Sequence, residues 1–115
     1  MTPPAVASRP PVRPCVTPAD VDAVKRCVEA TLRDEGLGFL WDSGWAPSVV
    51  YCESRWVPWA ESRGGHKGLW QINPNWLNGV WASLPGDWRD PEDNTRMMAH
   101  VYREQGPGAW ACSPW

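Results

Sequence analysis

The stretch Val49-Val50-Tyr51-Cys52-Glu53-Ser54-Arg55-Trp56 decides how the chain is interpreted, because an apolar run there ends in a carboxylate. Val49, Val50 and Cys52 can bury one side of a short helix, which leaves Glu53 at its C-terminal end. The helix dipole is negative at that end and apolar neighbours exclude water, so both effects favour the protonated carboxyl group. We therefore expect the pKa of Glu53 to lie above about 4.3, as general-acid chemistry near neutral pH requires. From these residues alone, a solvated glutamate at a helix end is the simpler alternative.

A spaced pattern that begins at Glu53 gives this carboxylate a specific context. The residues from Glu53 to Gln71 read E-S-x-x-x-P-x-A-x-S-x-x-G-x-x-G-L-x-Q without a gap. This pattern resembles the signature of the lytic transglycosylase and goose-type lysozyme superfamily, in which the first glutamate is the catalytic acid. The resemblance extends from Trp45 to Cys112 and implies a lysozyme-like fold with an active-site groove.

Two later stretches are similar to features of the same superfamily. Asp90-Pro91-Glu92-Asp93-Asn94 resembles the D-P-x-x-N that opens the helix after the active-site loop. Asp90 can cap that helix, and we expect Asp93 to complete the capping arrangement. Gln105-Gly106-Pro107-Gly108-Ala109-Trp110-Ala111-Cys112 resembles the ending of the small lysozyme-like domains of actinobacterial resuscitation-promoting factors, which also carry Cys-Glu-Ser. That resemblance implies a disulfide between Cys52 and Cys112, which would fix the C-terminus beside Glu53.

The chain as a whole predicts one small, mainly α-helical domain. A length of 115 residues suffices for one modest core. Helix signals lie in three main places, at Thr17–Gly36, where Thr17 can cap and Pro18 suits the first turn, near Pro47–Glu53 and at Pro91–Gln105, with a short helix from Pro74. No segment alternates convincingly enough for a strand, so we expect at most a small β-hairpin near 63–73.

The N-terminal residues differ in composition from the rest. Met1–Pro14 holds five prolines and almost no large apolar side chains. We therefore expect a disordered or extended tail or linker over residues 1–14, followed by a lysozyme-like domain over 15–115. The tail also has no continuous apolar segment of the kind found in secretory signals. We expect the protein to act outside the cytoplasm, at the cell wall or in a phage virion.

Four cysteines in a chain of this length predict disulfides and an oxidising final location. If Thr17 caps the first helix, Cys27 lies about 15 Å along the axis. Cys15 can reach back only about 7 Å, so the remaining gap exceeds the roughly 4.4–6.8 Å that a disulfide spans between Cα atoms. Either the helix begins later, or Cys15 and Cys27 are free or differently connected.

Neither cysteine nor histidine spacing suggests a metal site, and we expect no metal or other cofactor.

Composition narrows the class of partner. A net charge of −2 does not favour nucleic acid, and no apolar run is long enough to predict a membrane span. Ten tryptophans exceed what a core of this size needs, although packing explains any single one. Flat aromatic faces suit sugar rings, so the excess favours a saccharide groove. The irregular, Trp-rich segment 79–88 is a candidate for one wall of it. The family resemblance implies that the saccharide is a peptidoglycan glycan strand, and we expect it to be bound by a monomer or by part of a phage particle.

The resemblance also implies roles for residues around Glu53. Ser54 would position the acid, Ser62 would bond the substrate near the reacting centre, and Gln71 would contact sugar groups or loop backbone. The family has a cleft tyrosine after the last helix, and here either Tyr102 serves or Trp110 replaces it. The full set of expected substrate-binding residues is Ser54, Ser62, Trp70, Gln71, Asn73, Tyr102 and Trp110.

The reaction type depends on a second carboxylate. Glycosidases normally use two, about 5–9.5 Å apart. Goose-type lysozymes have a helper aspartate just after G-L-x-Q, where this chain has Asn73, and their other helper position falls near His66, which we expect in an exposed loop. A hydrolase of this fold would need another carboxylate folded into the groove, the candidates being Asp42, Glu61, Asp87 and Asp90.

A lytic transglycosylase needs only one carboxyl group. The resemblance then implies cleavage of the MurNAc-β-1,4-GlcNAc bond of peptidoglycan by Glu53, leaving 1,6-anhydroMurNAc ends. A hydrolytic lysozyme of the same fold is the first alternative. A non-catalytic peptidoglycan-binding or virion structural module, which the tryptophans fit equally well, is the second.

Overall fold

The computed structural model describes residues 20–115. Its elements are α1 (Val21–Asp34), α2 (Gly38–Asp42), α3 (Trp45–Ser54), α4 (Pro74–Leu77), α5 (Pro91–Gln105) and a 3₁₀ turn at Pro107–Ala109. No strand forms in this part of the chain. Two isolated antiparallel bridges join Lys67 to Glu61 and to Ile72. The second lies inside the 63–73 region where we expected at most a hairpin, and the first reaches two residues before it. The fold is therefore mainly α, as predicted.

Helix α1 begins later than the Thr17 cap predicted. Its N-cap is Asp20, whose carboxylate accepts the backbone N–H groups of Asp22 at 3.0 Å and Ala23 at 3.3 Å. Thr17, the proline-rich tail and Cys15 lie outside the described residues. Cys27 is fully buried and disulfide-bonded, so the alternative of a free Cys27 is wrong.

Helix α2 lies between the first two helices that the sequence predicted, where no helix was expected. It has five residues, which is too short for a helical repeat to show in the sequence. Leu40 is fully buried and fixes α2 to the core. Ser43 then accepts the backbone N–H of Trp45 at 3.2 Å, and Gly44, at a φ of 85°, begins α3 as its N-cap.

Trp45 joins the C-terminal segment to the core. Its ring stacks on Trp70 and on Trp115, with centroids 5.9 and 5.5 Å apart, and meets the edge of Trp110 at 5.7 Å. Its indole N–H donates to the hydroxyl of Ser113 at 2.9 Å. These contacts hold the residues after α5 against the start of α3.

Asp90 caps helix α5 as predicted, but the side chain of Asp93 does not take part in the cap. Asp90 accepts the backbone N–H of Glu92, and Pro91 occupies the first helical position. Asp93 was expected to complete the capping arrangement. Its carboxylate instead accepts the backbone N–H of Asp87 at 2.8 Å, because the preceding loop folds back over the first turn.

A fully buried asparagine joins α5 to the loop before α4. The side-chain oxygen of Asn94 accepts the backbone N–H of Trp70 at 2.8 Å, and its amide group donates to the carbonyl of Lys67 at 3.2 Å. Trp70 is itself fully buried, with its indole N–H donating to Thr95. Side chains of α5 therefore hold the segment 67–71 in place.

None of the helices between residues 20 and 115 is long and apolar enough to cross a membrane.

Candidate active site

Glu53 lies at the C-terminal end of α3 and faces a cavity. The backbone takes left-handed values directly after this helix, with φ of 56° at Arg55 and 65° at Trp56, so the chain turns sharply away. Glu53 is half-buried, and the cavity before it has a volume of about 280 Å³. The residues that line this cavity are Glu53, Ser62, His66, Gln71, Ala109, Trp110 and Ala111.

The environment of Glu53 favours its protonated form. Burial raises the pKa of this carboxyl group above its ordinary value of 4.5. Two weaker effects act in the opposite direction, namely the backbone N–H of Cys112, which donates to Oε2 at 3.3 Å, and the positive charge of His66. A raised pKa of Glu53 is what the sequence predicted. The structure identifies loss of water as the main cause.

The raised pKa predicts how Glu53→Gln changes stability with pH. A glutamate whose pKa is higher in the folded protein stabilises the fold fully below its unfolded pKa and loses that contribution as pH rises through the folded pKa. We therefore expect Glu53→Gln to have a higher urea midpoint than the wild type at pH 7, and this advantage to shrink toward pH 4. Equal pH dependence of the two proteins in urea denaturation would contradict the buried, proton-favouring environment.

A disulfide lies next to residues that line the cavity. Cys52 and Cys112 are joined with an S–S distance of 2.06 Å and Cα atoms 6.0 Å apart, as the family resemblance implied. This bond places the Cys112 backbone N–H against the neighbouring Glu53. Ala109 and Ala111, which line the cavity, lie within three residues of Cys112, so the bond helps to hold the C-terminal segment in the wall.

Removing this disulfide should cost both stability and activity. The bond closes a loop with a sequence separation of 60, for which the loss in free energy of unfolding is typically about 2–4 kcal/mol. We expect the double variant Cys52→Ser/Cys112→Ser to show that loss in urea denaturation. We also expect a fall in any lytic activity under conditions where the variant is still fully folded. Wild-type activity in the folded variant would show that the C-terminal wall does not need the bond.

Gln71 and Ser62 line the cavity by different means. Gln71 is buried at a φ of 49°, and its amide donates to the carbonyls of Ala60 at 3.2 Å and Gly68 at 3.0 Å. It is thus bonded to loop backbone, which was one of the two expected arrangements. Ser62 is exposed, and its hydroxyl accepts the backbone N–H of His66 at 3.1 Å. Both side chains leave oxygen atoms available beside the cavity.

A second, smaller cavity continues from the first. Its volume is about 70 Å³, and it shares with the first cavity the residues His66, Gln71, Ala109 and Trp110. We call the two together the cleft. Asn73 lines the second cavity, but its side-chain oxygen caps α4 by accepting the N–H of Asn75 at 2.9 Å, which leaves the amide nitrogen for other partners. Trp81 is 49% exposed and also lines it, as expected of a wall in the segment 79–88.

Three expected substrate-binding residues do not line the cleft. Ser54 is buried, with its hydroxyl donating to the carbonyl of Val50 one helical turn earlier at 3.1 Å. Trp70 is a core residue. Tyr102 packs edge-on against the rings of Phe39 and Trp45. Of the two aromatic candidates after the active-site loop, it is Trp110 that lines both cavities, with its indole N–H donating to the Trp70 carbonyl at 2.8 Å.

Among residues 20–115, Glu53 is the one carboxylate that lines the cleft. The four other candidates are engaged elsewhere: Asp42 pairs with Arg33, Glu61 pairs with Lys67, Asp87 lies 3.8 Å from Arg89, and Asp90 caps α5. A hydrolytic pair of carboxylates is therefore not assembled. In the same part of the chain, no three side chains of the metal-binding types are grouped around a common point.

Comparison with known families singles out the same region. The model of the family described as "Transglycosylase SLT domain" matches residues 41–105. No curated protein and no solved structure matched the chain. The matched residues include Glu53, Ser62 and Gln71. They end before Trp110 and Cys112, so the C-terminal wall of the cleft lies beyond the matched part.

Proposed function

Because the chain belongs to the transglycosylase SLT domain family, we propose that it cleaves peptidoglycan glycan strands with Glu53 as its general acid. Family membership supports a peptidoglycan-directed transglycosylase. The observation that supports Glu53 is its position as the cleft's one carboxylate in residues 20–115, half-buried and with a raised pKa. A carboxyl group kept protonated can give its proton to a leaving oxygen.

The proposed reaction is cleavage of the MurNAc-β-1,4-GlcNAc bond by a single carboxyl group. Glu53 protonates the glycosidic oxygen as its bond to C1 of MurNAc breaks. The N-acetyl group of the same sugar stabilises the positive charge that develops at C1. Glu53, now a carboxylate, then accepts the proton of the MurNAc 6-hydroxyl, whose oxygen bonds to C1 and gives a 1,6-anhydro end. No second carboxylate and no water molecule is consumed.

The residues around Glu53 support this use. The backbone N–H of Cys112, 3.3 Å from Oε2, stabilises the carboxylate form after the proton has left. Ser62 presents an exposed hydroxyl at the cavity, and Trp110 presents part of an otherwise buried ring. We propose that these two contact the sugars on either side of the scissile bond, with Asn73 contacting a sugar in the second cavity.

The test is digestion of purified peptidoglycan by the full chain. We expect the turbidity of a wall suspension to fall, and mass spectrometry of the soluble muropeptides to show anhydro ends. A binding or virion structural module would bind the walls without clearing them, and a pure hydrolase would give ends heavier by one water. We propose that the natural setting is the cell wall or a phage virion, where the disulfide persists.

A further inference from the structure

His66 is the second ionisable side chain of the cleft. Of the residues that line its two cavities, Glu53 and His66 alone carry ionisable side chains. His66 lines both cavities, so it lies where they meet. Glu53 lines the larger of the two cavities, so both side chains face the same space.

The loop holds His66 in place while leaving its ring nitrogens available. Its backbone N–H donates to the hydroxyl of Ser62 at 3.1 Å, and its carbonyl accepts the N–H of Ser62 at 3.0 Å. The ring lies beside Gly64, where a Cβ atom would come within 3.4 Å of Nδ1. The imidazole makes no hydrogen bond to any side chain or backbone group in residues 20–115. A neutral imidazole in that position can accept a proton.

Hydrolysis of the glycosidic bond needs a base that accepts a proton from the attacking water molecule. In inverting glycosidases the acid and the base stand about 6.5–9.5 Å apart, so that a water molecule fits between base and sugar. The cavity that Glu53 and His66 share has a volume of about 280 Å³, against about 30 Å³ for one water molecule. Among the described residues no second carboxylate lines the cleft to act as the base. His66 is the other ionisable side chain in the cleft.

We propose that His66 is the base for a competing hydrolytic reaction in the same cleft, an inference that rests on the proposed function of Glu53. The bond from C1 to the glycosidic oxygen breaks, and that oxygen takes the proton of Glu53. The oxygen of a water molecule forms the new bond to C1, and its proton passes to the imidazole of His66. The product is a reducing MurNAc end, and both side chains are reset by exchange with solvent. The wild type therefore releases water-derived ends alongside anhydro ends.

The test is the ratio of water-derived to anhydro ends in muropeptides from wild type, His66→Gln and His66→Ala. Glutamine keeps much of the side chain's size and polarity but cannot accept a proton, so both variants lose the base. Since a general base contributes about 10²–10⁴-fold, we expect the ratio to fall by about 100-fold or more in each, with anhydro ends retained. His100→Gln is the matched control, because His100 packs against Trp76 outside both cavities and should leave the ratio unchanged.

The outcomes separate this inference from the function on which it rests. A wild type that gives anhydro ends alone overturns it without any variant. A ratio that stays unchanged in folded His66→Gln also overturns it, and would leave His66 as a contact for sugar. A wild type that releases no muropeptides, or a Glu53→Gln that releases as many as the wild type, contradicts the proposed function itself.

Discussion

Glu53→Gln is expected to remove wall lysis while leaving the protein folded. General acid catalysis contributes about 10²–10⁴-fold, and Glu53 would act twice in the proposed reaction, first as acid and then as base. We therefore expect the initial rate of wall clearing to fall by about 10³-fold or more. Glutamine has nearly the same shape and still offers an oxygen to the Cys112 backbone N–H, so the cavity should persist. The measurement is the clearing rate, with muropeptide release as a second readout.

A matched control separates loss of the proton donor from loss of charge. Glu104 is exposed on α5 and lies outside both cavities, so Glu104→Gln makes the same chemical change away from the cleft. We expect it to retain the wild-type rate. Circular dichroism of both variants should match that of the wild type. Clearing by folded Glu53→Gln at a rate comparable to the wild type would remove Glu53 from the role of acid.

The longer helices could be predicted from the sequence because their patterns are local. In α1, apolar residues recur at helical spacing from Val24 to Leu32, and in α5 an Asp-Pro start marks the first turn. The five residues of α2 carry no such repeat, and tertiary packing of Leu40 decides that they form a helix. The prediction of Thr17 as the cap of α1 was wrong, because Asp20 also has a side chain that accepts backbone N–H groups and the sequence does not show which of the two does so.

The candidate site was predictable where it is local and not where it depends on closure of the chain. Ser62 and Gln71 belong to the same uninterrupted pattern as Glu53, and the loop after α3 returns them to its cavity. Ser54 lies in the same pattern, yet its hydroxyl bonds within α3, because its direction is set by the helical turn and not by the motif. The opposite wall contains Ala111, a residue type that carries no chemical signal in a sequence.

Asn94 is a core residue whose structural role could not be predicted from the sequence. The sequence presents it as the last letter of a weak motif, with no sign that it would be fully buried. Its two hydrogen bonds, to Trp70 and Lys67, join α5 to the segment that carries Gln71. A buried polar side chain that loses such partners costs about 1–3 kcal/mol per unsatisfied group. The position of Gln71 in the cleft therefore depends on a contact made by a residue more than twenty positions later.

Among the described glycines with positive φ, Gly68 is the one at which a change to alanine is expected to destabilise the protein most. Gly68 has a φ of 81°, and an added Cβ would overlap the Asn94 amide and lie 2.7 Å from the carbonyl oxygen of Trp88. Left-handed backbone costs a residue with a Cβ about 1–2 kcal/mol. Overpacking costs about 1–3 kcal/mol, and displacing the Asn94 amide leaves buried groups unpaired at about 1–3 kcal/mol. We expect a total loss of about 4–6 kcal/mol, a large fraction of the roughly 5–15 kcal/mol that stabilises a domain.

Gly36→Ala supplies the comparison that isolates the clash. Gly36 has a φ of 78°, nearly the same as Gly68, but a Cβ there would meet nothing within 4 Å. We expect a loss of about 1 kcal/mol from backbone strain alone, reduced slightly by the lower entropy of the unfolded chain. Urea denaturation of both variants measures the difference, and equal losses would show that Asn94 does not hold the 67–71 segment. Where Gly68→Ala still folds, wall clearing should also fall, because a displaced Asn94 amide releases the backbone that positions Gln71 in the cleft.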